Sequence, residues 1–282
     1  MKFKNTSYYT SLGFIVVFCA VYVWSLFIFD YYTEGDQIIY TRFYTEAVNL
    51  SFAEIWILQQ GLLDSGEPGF SFIIALASQY FTKVEFMSLS NGLLGALLFL
   101  SVRDRKAAWV LFLMIIFNYY ISVLFFSAER LKFATIVALI ILNMRDSYLK
   151  NALIILPAFF HFQYILLIPV IFIGLYQMEI NRFIVNFSFN FSLAMTFVLF
   201  FVIFGVIFLV IIFNEILVGK YIAYSGRTNL FDYLRVILMS GFLVFISRFK
   251  IISVLVSLYF IFWVAVLGAE RIIIMEVAYI FA

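Results

Sequence analysis

The polar residues expected on the external side of a membrane, among them Asp36, Glu67, Arg130 and His161, suit a site for an anionic, hydroxyl-rich substrate. A carboxylate can accept the proton of an attacking hydroxyl group, and a guanidinium fork can bind two oxygens of a phosphate. His161 is the single histidine of the chain, and it can donate to a phosphate oxygen or position a sugar. Because charges are costly inside a bilayer, the few in an apolar chain are functional candidates.

Five further residues are candidates for binding the substrate around these four. Arg227 and Arg271 can add guanidinium groups that hold a phosphate. Tyr40, Tyr44 and Tyr224 can stack their aromatic faces on sugar rings. The whole set therefore predicts recognition of both a phosphate group and a carbohydrate.

Each of the charged candidates also has a purely structural interpretation. Arg130 follows a glutamate, and the two residues could form an ion pair at a helix end. His161 lies among phenylalanines and could be a satisfied polar group at a helix break. Asp36 lies in a Gly-Asp turn, Arg227 could be a solvated loop charge, and Arg271 could anchor the start of a span.

The composition predicts that these residues belong to an all-α integral membrane protein. Of the 282 residues, 66% are hydrophobic and 12% are charged, and the mean hydropathy is +1.09. Soluble domains have about 45–50% apolar and about 25% charged residues, so this chain could not hide its apolar surface in one core. The net charge of +2 gives no reason to expect nucleic acid. With one cysteine and one histidine, the common zinc sites are excluded, although acids and a diphosphate could recruit Mg²⁺; no cofactor is expected.

The first third of the chain predicts one span followed by a large external loop. The apolar run Leu12–Phe29 has no small-residue cleavage site after it, which favours an uncleaved span over a signal peptide. Residues 30–85 form the loop, and its part from Asp30 to Pro68 holds seven acids against one base, which places it away from the cytoplasm. Leu50–Leu63 and Gly69–Phe81 are too short to cross a bilayer and are expected to be interfacial or re-entrant helices.

The remaining apolar segments bring the expected total to about eight to ten membrane helices in a single domain, residues 1–282. The segment Leu153–Tyr176 either crosses once or breaks near His161 into a hairpin. We favour the hairpin, because it leaves every compact basic turn on the cytoplasmic side. The other predicted spans are Phe86–Val102, Ala107–Phe126, Leu131–Met144, Phe191–Phe213, Val236–Ser247, Ile251–Gly268 and one that begins at Ile272.

The order of the polar residues resembles that of a known family of membrane enzymes. Gly35-Asp36-x-x-x-Tyr40-x-x-x-Tyr44 is followed by Glu67-Pro68-Gly69-Phe70, by Arg130 at the head of a short span and by Phe160-His161. This series is similar to the EpsG-type polymerases, a branch of the Wzy family of O-antigen and exopolysaccharide polymerases. The resemblance covers residues 30–176, with a weaker echo at Tyr224 and Arg271, and Glu-Pro-Gly-Phe is its most specific part. Leu131 stands where the family usually has glutamine, and Phe162-Gln163 replaces two serines.

The resemblance implies a glycosyltransferase that polymerises undecaprenyl-diphosphate-linked oligosaccharide repeat units on the periplasmic face of a bacterial inner membrane. Its product would be a lipopolysaccharide O-antigen, a capsule or an exopolysaccharide, and its architecture would be GT-C-like. Asp36 would be the first candidate general base and Glu67 the second, although Glu67 could equally brace its loop. Arg130, Arg227 and Arg271 would hold the diphosphate. Partners would be the bilayer, the lipid-linked glycans, a chain-length regulator and a flippase.

Two other functions remain open at this point. A flippase for lipid-linked oligosaccharides would need more spans and an internal repeat with charges near the middle of the membrane. A glycan ligase or an acyltransferase is closer in chemistry, because a ligase shares the lipid-diphosphate donor and differs only in the acceptor.

Overall fold

The computed structural model describes residues 3–102, 119–144, 148–175, 230–246 and 250–267, together with Trp109, Phe112, Leu113, Ile116 and Ile272. All the regular secondary structure in these ranges is helical, which confirms the all-α prediction for this part of the chain. Two compact units, Met1–Tyr164 and Ile165–Ala282, are described separately. The single-domain organisation stays a prediction.

The first unit contains helices of very different lengths. The long ones are α1 (Phe3–Tyr31) and α5 (Lys83–Val102). Between them lie three short helices, α2 (Asp36–Glu46), α3 (Phe52–Leu63) and α4 (Pro68–Ala77). After α5 come α6 (Tyr119–Phe126), α7 (Glu129–Leu142), α8 (Tyr148–Leu153) and α9 (Pro157–Phe160).

Two described helices are long and apolar enough to cross a membrane, by length and composition. They are Ser11–Tyr31, which is most of α1, and Lys83–Val102, which is α5. A helix of 20 residues is about 30 Å long, which matches the hydrocarbon thickness of a bilayer. These are the segments in which the sequence predicts the first two spans.

Small residues let α1 and α5 pack closely against each other. A Cβ atom added to Gly92 would lie 2.9 Å from the carbonyl oxygen of Phe18, and one added to Gly95 would lie 2.8 Å from Cγ2 of Val21. Small residues at such spacing allow close approach between membrane helices, where apolar side chains gain little by leaving lipid. Asn91 Nδ2 also donates to Ser25 Oγ at 3.1 Å across this contact.

The short helices of the loop begin at strong sequence signals. At the start of α3, the amide of Ser51 donates to Glu54 Oε2 at 2.8 Å, and the Ser51 hydroxyl oxygen accepts from the amide of Glu54. This reciprocal capping box satisfies backbone donors that no helical carbonyl reaches. Helix α4 begins with Pro68 in its first turn, where a missing amide hydrogen costs nothing. Both segments therefore form short helices, as predicted.

The predicted break at His161 is present. Helix α9 ends at Phe160, and His161 has an extended backbone with φ −156° and ψ 111°. A 3₁₀ helix, Phe162–Leu167, follows. The break places the His161 side chain beside the loop helices, because α9 packs against both α4 and α7.

In the second unit, the structure describes α10 (Ile168–Leu175), α11 (Leu230–Ile246) and α12 (Lys250–Leu267). Helices α11 and α12 pack against each other and cover the predicted spans Val236–Ser247 and Ile251–Gly268 except for a residue at the end of each. The predicted span Phe191–Phe213 and the segment after Ile272 lie outside the described residues. The predicted span Ala107–Phe126 is described from Tyr119 onward, together with four separate residues before it.

Candidate functional site

A buried carboxylate brings together three of the four residues singled out first. Glu67 is 2% exposed. One of its oxygens, Oε2, accepts a hydrogen bond from Arg130 Nη1 at 2.9 Å, and the other, Oε1, lies 3.2 Å from His161 Nδ1. We call Glu67, Arg130, His161 and the two side chains that bind them, Tyr40 and Gln59, the Glu67 cluster.

Three helix ends and two helix interiors build the cluster. Glu67 is the N-cap of α4, and its extended backbone is the conformation that a following proline favours. Arg130 lies in the first turn of α7, and His161 follows the last turn of α9. Gly69 permits the meeting, because a Cβ atom there would lie 2.9 Å from the carbonyl oxygen of Phe159.

Gln59, in the last turns of α3, holds the loop that carries Glu67. Its side chain is fully buried, and its Nε2 donates to Ser65 Oγ at 3.0 Å, to the Glu67 carbonyl at 3.2 Å and to Glu67 Oε2 at 3.4 Å. Its Oε1 accepts a short hydrogen bond from the Ser71 hydroxyl. Sequence reasoning did not assign Gln59 a role. The available signal was an amide inside a short apolar helix.

The two described tyrosine candidates have different positions. Arg130 Nε donates to the Tyr40 hydroxyl at 3.3 Å, so Tyr40 belongs to the cluster. The Tyr44 hydroxyl instead donates to the Phe81 carbonyl at 3.0 Å, which ties α2 to the loop before α5. Both rings are buried, with 7% and 4% exposure. The structure therefore gives Tyr44 a structural contact and Tyr40 a contact with the site.

Asp36 lies apart from these contacts. It is exposed in the first turn of α2, four residues before Tyr40 and thus on the same side of that helix. Within the described ranges, its carboxylate makes no hydrogen bond or ion pair with the Glu67 cluster. Its exposure leaves it accessible to a ligand, and its role as a base stays a prediction. Tyr224, Arg227 and Arg271 lie outside the described residues.

The electrostatics of Glu67 favour bracing over proton transfer. Burial alone raises the pKa of Glu67, but the hydrogen bond from His161 and the charge of Arg130 outweigh it and hold the pKa well below the ordinary value. A carboxylate stabilised in this way remains ionised at neutral pH and is a weak proton acceptor. Of its two predicted roles, bracing the loop is thus the one that the contacts favour.

Burial likewise raises the pKa of Tyr40, although the nearby Arg130 charge partly offsets it. Tyr40 therefore keeps its proton at neutral pH. Its hydroxyl can accept from Arg130 and still donate to a ligand oxygen.

A second polar network lies beside the cluster on the first turns of α7. Glu129, which is 1% exposed, accepts from Gln37 Nε2 at 3.1 Å and lies 3.3 Å from Lys83 Nζ. Lys132 is fully buried and donates to Asn91 Oδ1 at 2.8 Å and to the Phe125 carbonyl at 3.0 Å. Glu129 is thus engaged elsewhere, and Arg130 pairs with Glu67. The ion pair between residues 129 and 130 that their adjacency suggested is not formed.

An apolar cavity of about 650 Å³ lies between α1, α4, α5 and α7. Its lining includes Phe86 and Phe133, and exposed residues such as Tyr80 and Ile140 reach it from the surface. Phe133 is one helical turn beyond Arg130 and contacts Phe70 with a ring distance of 5.9 Å. The cavity therefore begins close to the polar cluster.

In the described residues, no three histidine, cysteine, aspartate or glutamate side chains are arranged to hold a metal ion. Comparison of the chain with protein families, curated proteins and solved structures gives no match. The site is therefore interpreted from its own geometry and from the residue pattern.

Proposed function

We propose that this protein is a glycosyltransferase that joins undecaprenyl-diphosphate-linked oligosaccharide repeat units on the periplasmic face of a bacterial inner membrane. One observation supports this most strongly. The residues that carry the resemblance to EpsG-type polymerases come from separate segments, and Tyr40, Glu67, Arg130 and His161 meet within hydrogen-bonding distance. If the similarity to this family arose by chance, there would be no reason for these residues to lie in contact with one another.

The diphosphate would bind at Arg130. Nη1 and Nε of this side chain are engaged by Glu67 and Tyr40, while Nη2 makes no hydrogen bond to a described residue. The side chain is 18% exposed, so a ligand oxygen can reach it. A guanidinium held in place before the substrate arrives stabilises charge that develops on a leaving diphosphate. The resemblance adds Arg227 and Arg271, which lie outside the described residues, as further candidates for binding the diphosphate.

The acceptor hydroxyl would be activated by Asp36, the exposed carboxylate on the side of α2 that carries Tyr40. In this reaction the hydroxyl oxygen bonds to the anomeric carbon, and its proton goes to the carboxylate. The bond from that carbon to the diphosphate breaks, and the diphosphate leaves with the electron pair. Attack opposite the leaving group inverts the anomeric centre.

The lipid portion of the substrate would lie in the apolar cavity beside α7. Its lining is almost wholly hydrocarbon and aromatic, which suits a polyisoprenoid chain better than a sugar. Phe133 lines the cavity and lies one helical turn after Arg130 on α7. A lipid diphosphate could therefore place its chain and its head group in adjacent sites.

The two described helices that are long and apolar enough to cross a membrane support a membrane location. The proposal extends this to about eight to ten membrane helices in a GT-C-like arrangement, with the loop of residues 30–85 facing the periplasm. A flippase would supply the repeat units, and a chain-length regulator would limit the polymer.

The function is tested by complementing cells that lack the gene and analysing the surface glycan by gel electrophoresis. Arg130→Lys, which keeps the charge but loses the planar fork, and Arg130→Ala should both abolish long chains at normal protein levels. Asp36→Asn should do the same. Arg42→Ala and Asp64→Asn alter exposed residues of the same loop and should leave long chains unchanged.

The form of the remaining glycan separates this function from its alternatives. A polymerase defect leaves single repeat units displayed outside the cell. Lipid-linked units retained inside would indicate a flippase, and full-length polymer that is not attached to its final acceptor would indicate a ligase. Full-length attached polymer in Asp36→Asn would rule out Asp36 as the base.

A further inference from the structure

The His161 ring has a carbonyl or carboxylate oxygen at each of its two nitrogens. Nδ1 lies 3.2 Å from Glu67 Oε1, and Nε2 lies 2.9 Å from Oε1 of Gln163. An ionised carboxylate and an amide carbonyl are acceptors only. With the Gln163 carbonyl facing the ring, both ring nitrogens donate, and a histidine that donates from both nitrogens is an imidazolium cation.

We propose that Gln163 is a positioning residue that, together with Glu67, holds His161 as an imidazolium. Gln163 is 5% exposed, and its Nε2 atom is buried with no hydrogen-bond partner in the described part of the chain. In this orientation of the amide, its carbonyl oxygen contacts the His161 ring. Gln163 stands where the resembling family has a serine, so this arrangement belongs to the present chain.

The charged groups around His161 are consistent with a cation at this position. Helix α4 supplies only the Glu67 carboxylate next to the ring. Helix α7 carries three charges in its first turns: Arg130 shares the Glu67 carboxylate, while Glu129 and Lys132 are engaged in the other network. Glu67 thus has one oxygen for each of two cations, and an opposite charge at this distance favours the charged form of histidine.

The consequence is a cluster with two positive charges and one negative charge. Such a site is complementary to an anion with several oxygens, which is the diphosphate of the proposed reaction. This last step rests on the proposed function, whereas the protonation of His161 follows from contacts within the protein alone.

The single histidine makes the protonation directly measurable. Protein labelled with ¹⁵N-histidine in detergent micelles should show two protonated ring nitrogens at pH 7. Gln163→Leu removes the acceptor at Nε2 and should lose one of these two protons. Gln163→Glu restores an oxygen there and should keep both. Gln60→Leu, a matched change at an exposed glutamine, should also keep both.

One unprotonated ring nitrogen in the unmodified protein at pH 7 would show that His161 is not an imidazolium. This measurement does not depend on any variant folding. Two protons retained in Gln163→Leu, or one lost in Gln163→Glu, would overturn the role of Gln163. None of these results depends on glycan synthesis. A failure here is therefore distinguishable from a failure of the Arg130 variants in cells.

Discussion

Glu67 shows how contacts decide what a carboxylate does. The sequence can single out Glu67, Arg130 and His161, because charged residues are rare in this chain and a motif surrounds the first of them. It cannot assign their roles, since Glu67 meets Arg130 across 63 residues and His161 across 94 residues. The low pKa of Glu67 arises from those two partners. A general base and a bracing carboxylate look alike until both partners are located.

Replacing this carboxylate should destabilise the protein. Glu67→Gln leaves Arg130 without its counter-charge, and removing one partner of a buried pair costs about 3–5 kcal/mol. Since Arg130 keeps 18% exposure, the lower end of that range is expected. Thermal unfolding of the purified protein at pH 7 measures the loss. Glu46→Gln breaks an exposed ion pair with Arg42 and should change stability by no more than about 1 kcal/mol.

Wild type and Glu67→Gln together also test how the stability contributed by Glu67 depends on pH. The pKa of Glu67 is lower in the folded than in the unfolded protein, so its contribution is complete above the ordinary glutamate value of about 4.3. This contribution to stability is lost as the pH falls towards and through the pKa of Glu67 in the folded protein. The stability difference between wild type and Glu67→Gln should hence shrink below about pH 5. A difference that grows on acidification would contradict the assigned contacts.

Among the elements, α4 explains why its first residues form a motif. Glu67 is its N-cap, and Pro68 occupies the first turn, where a backbone N–H would have no acceptor within the helix. Gly69 allows the first turn to approach the backbone of Phe159, and Phe70 is fully buried, with its ring against Phe133. The residue type at each position of the motif has a separate physical reason, and together the four residues place the Glu67 carboxylate beside His161.

Gly69→Ala should therefore destabilise the protein, although alanine favours helices. The new Cβ would lie 2.9 Å from a carbonyl oxygen that cannot move without shifting α9, and such overpacking costs about 1–3 kcal/mol. Gly61→Ala is the matched control in α3. Nothing lies within 4 Å of its added Cβ, so it should stabilise by about 0.5–1 kcal/mol. Unfolding midpoints of the two variants that shift in the same direction would contradict this packing.

The sequence predicts the short helices well and their ends less well. The sequence predicts a short helix over Leu50–Leu63, but α3 starts at Phe52, because Ser51 and Glu54 form the capping box. The sequence also predicts a short helix over Gly69–Phe81, and α4 starts one residue earlier, because proline is accommodated in a first turn. Gln59 could not be assigned, since its partners Ser65 and Ser71 become neighbours only when α3 and α4 pack.

At the scale of the whole molecule, hydropathy predicts where the helices are but not how many of them cross the membrane. Helix α7 covers the predicted span Leu131–Met144 except for its last two residues. Its 14 residues extend only about 21 Å, less than the thickness of a hydrocarbon layer. Its first turns also carry Glu129, Arg130 and Lys132 into polar networks. A short apolar run can thus serve to position charges as well as to cross lipid, and composition alone does not separate these uses.

The proposed orientation can be tested by labelling cysteines in intact cells. Cys19 is the only cysteine and is first replaced by serine. A cysteine at position 46, in the acidic loop, should react with a membrane-impermeant maleimide from outside. A cysteine at position 106, in the predicted basic turn, should react only after the membrane is permeabilised. The reverse pattern would place the loop of residues 30–85 in the cytoplasm and remove the site from the periplasm.

The sharing of Glu67 by two cations limits how this protein can change over generations. A mutation that alters Glu67 leaves both Arg130 and His161 without a counter-charge, whereas a mutation of either cation leaves the other still paired. For charge balance alone, residues 130 and 161 can therefore change one at a time, although diphosphate binding still constrains Arg130. A substitution at residue 67 must be accompanied by changes in two distant segments. Among descendants of one ancestral chain, a change at residue 67 should accordingly be accompanied by changes at residues 130 and 161.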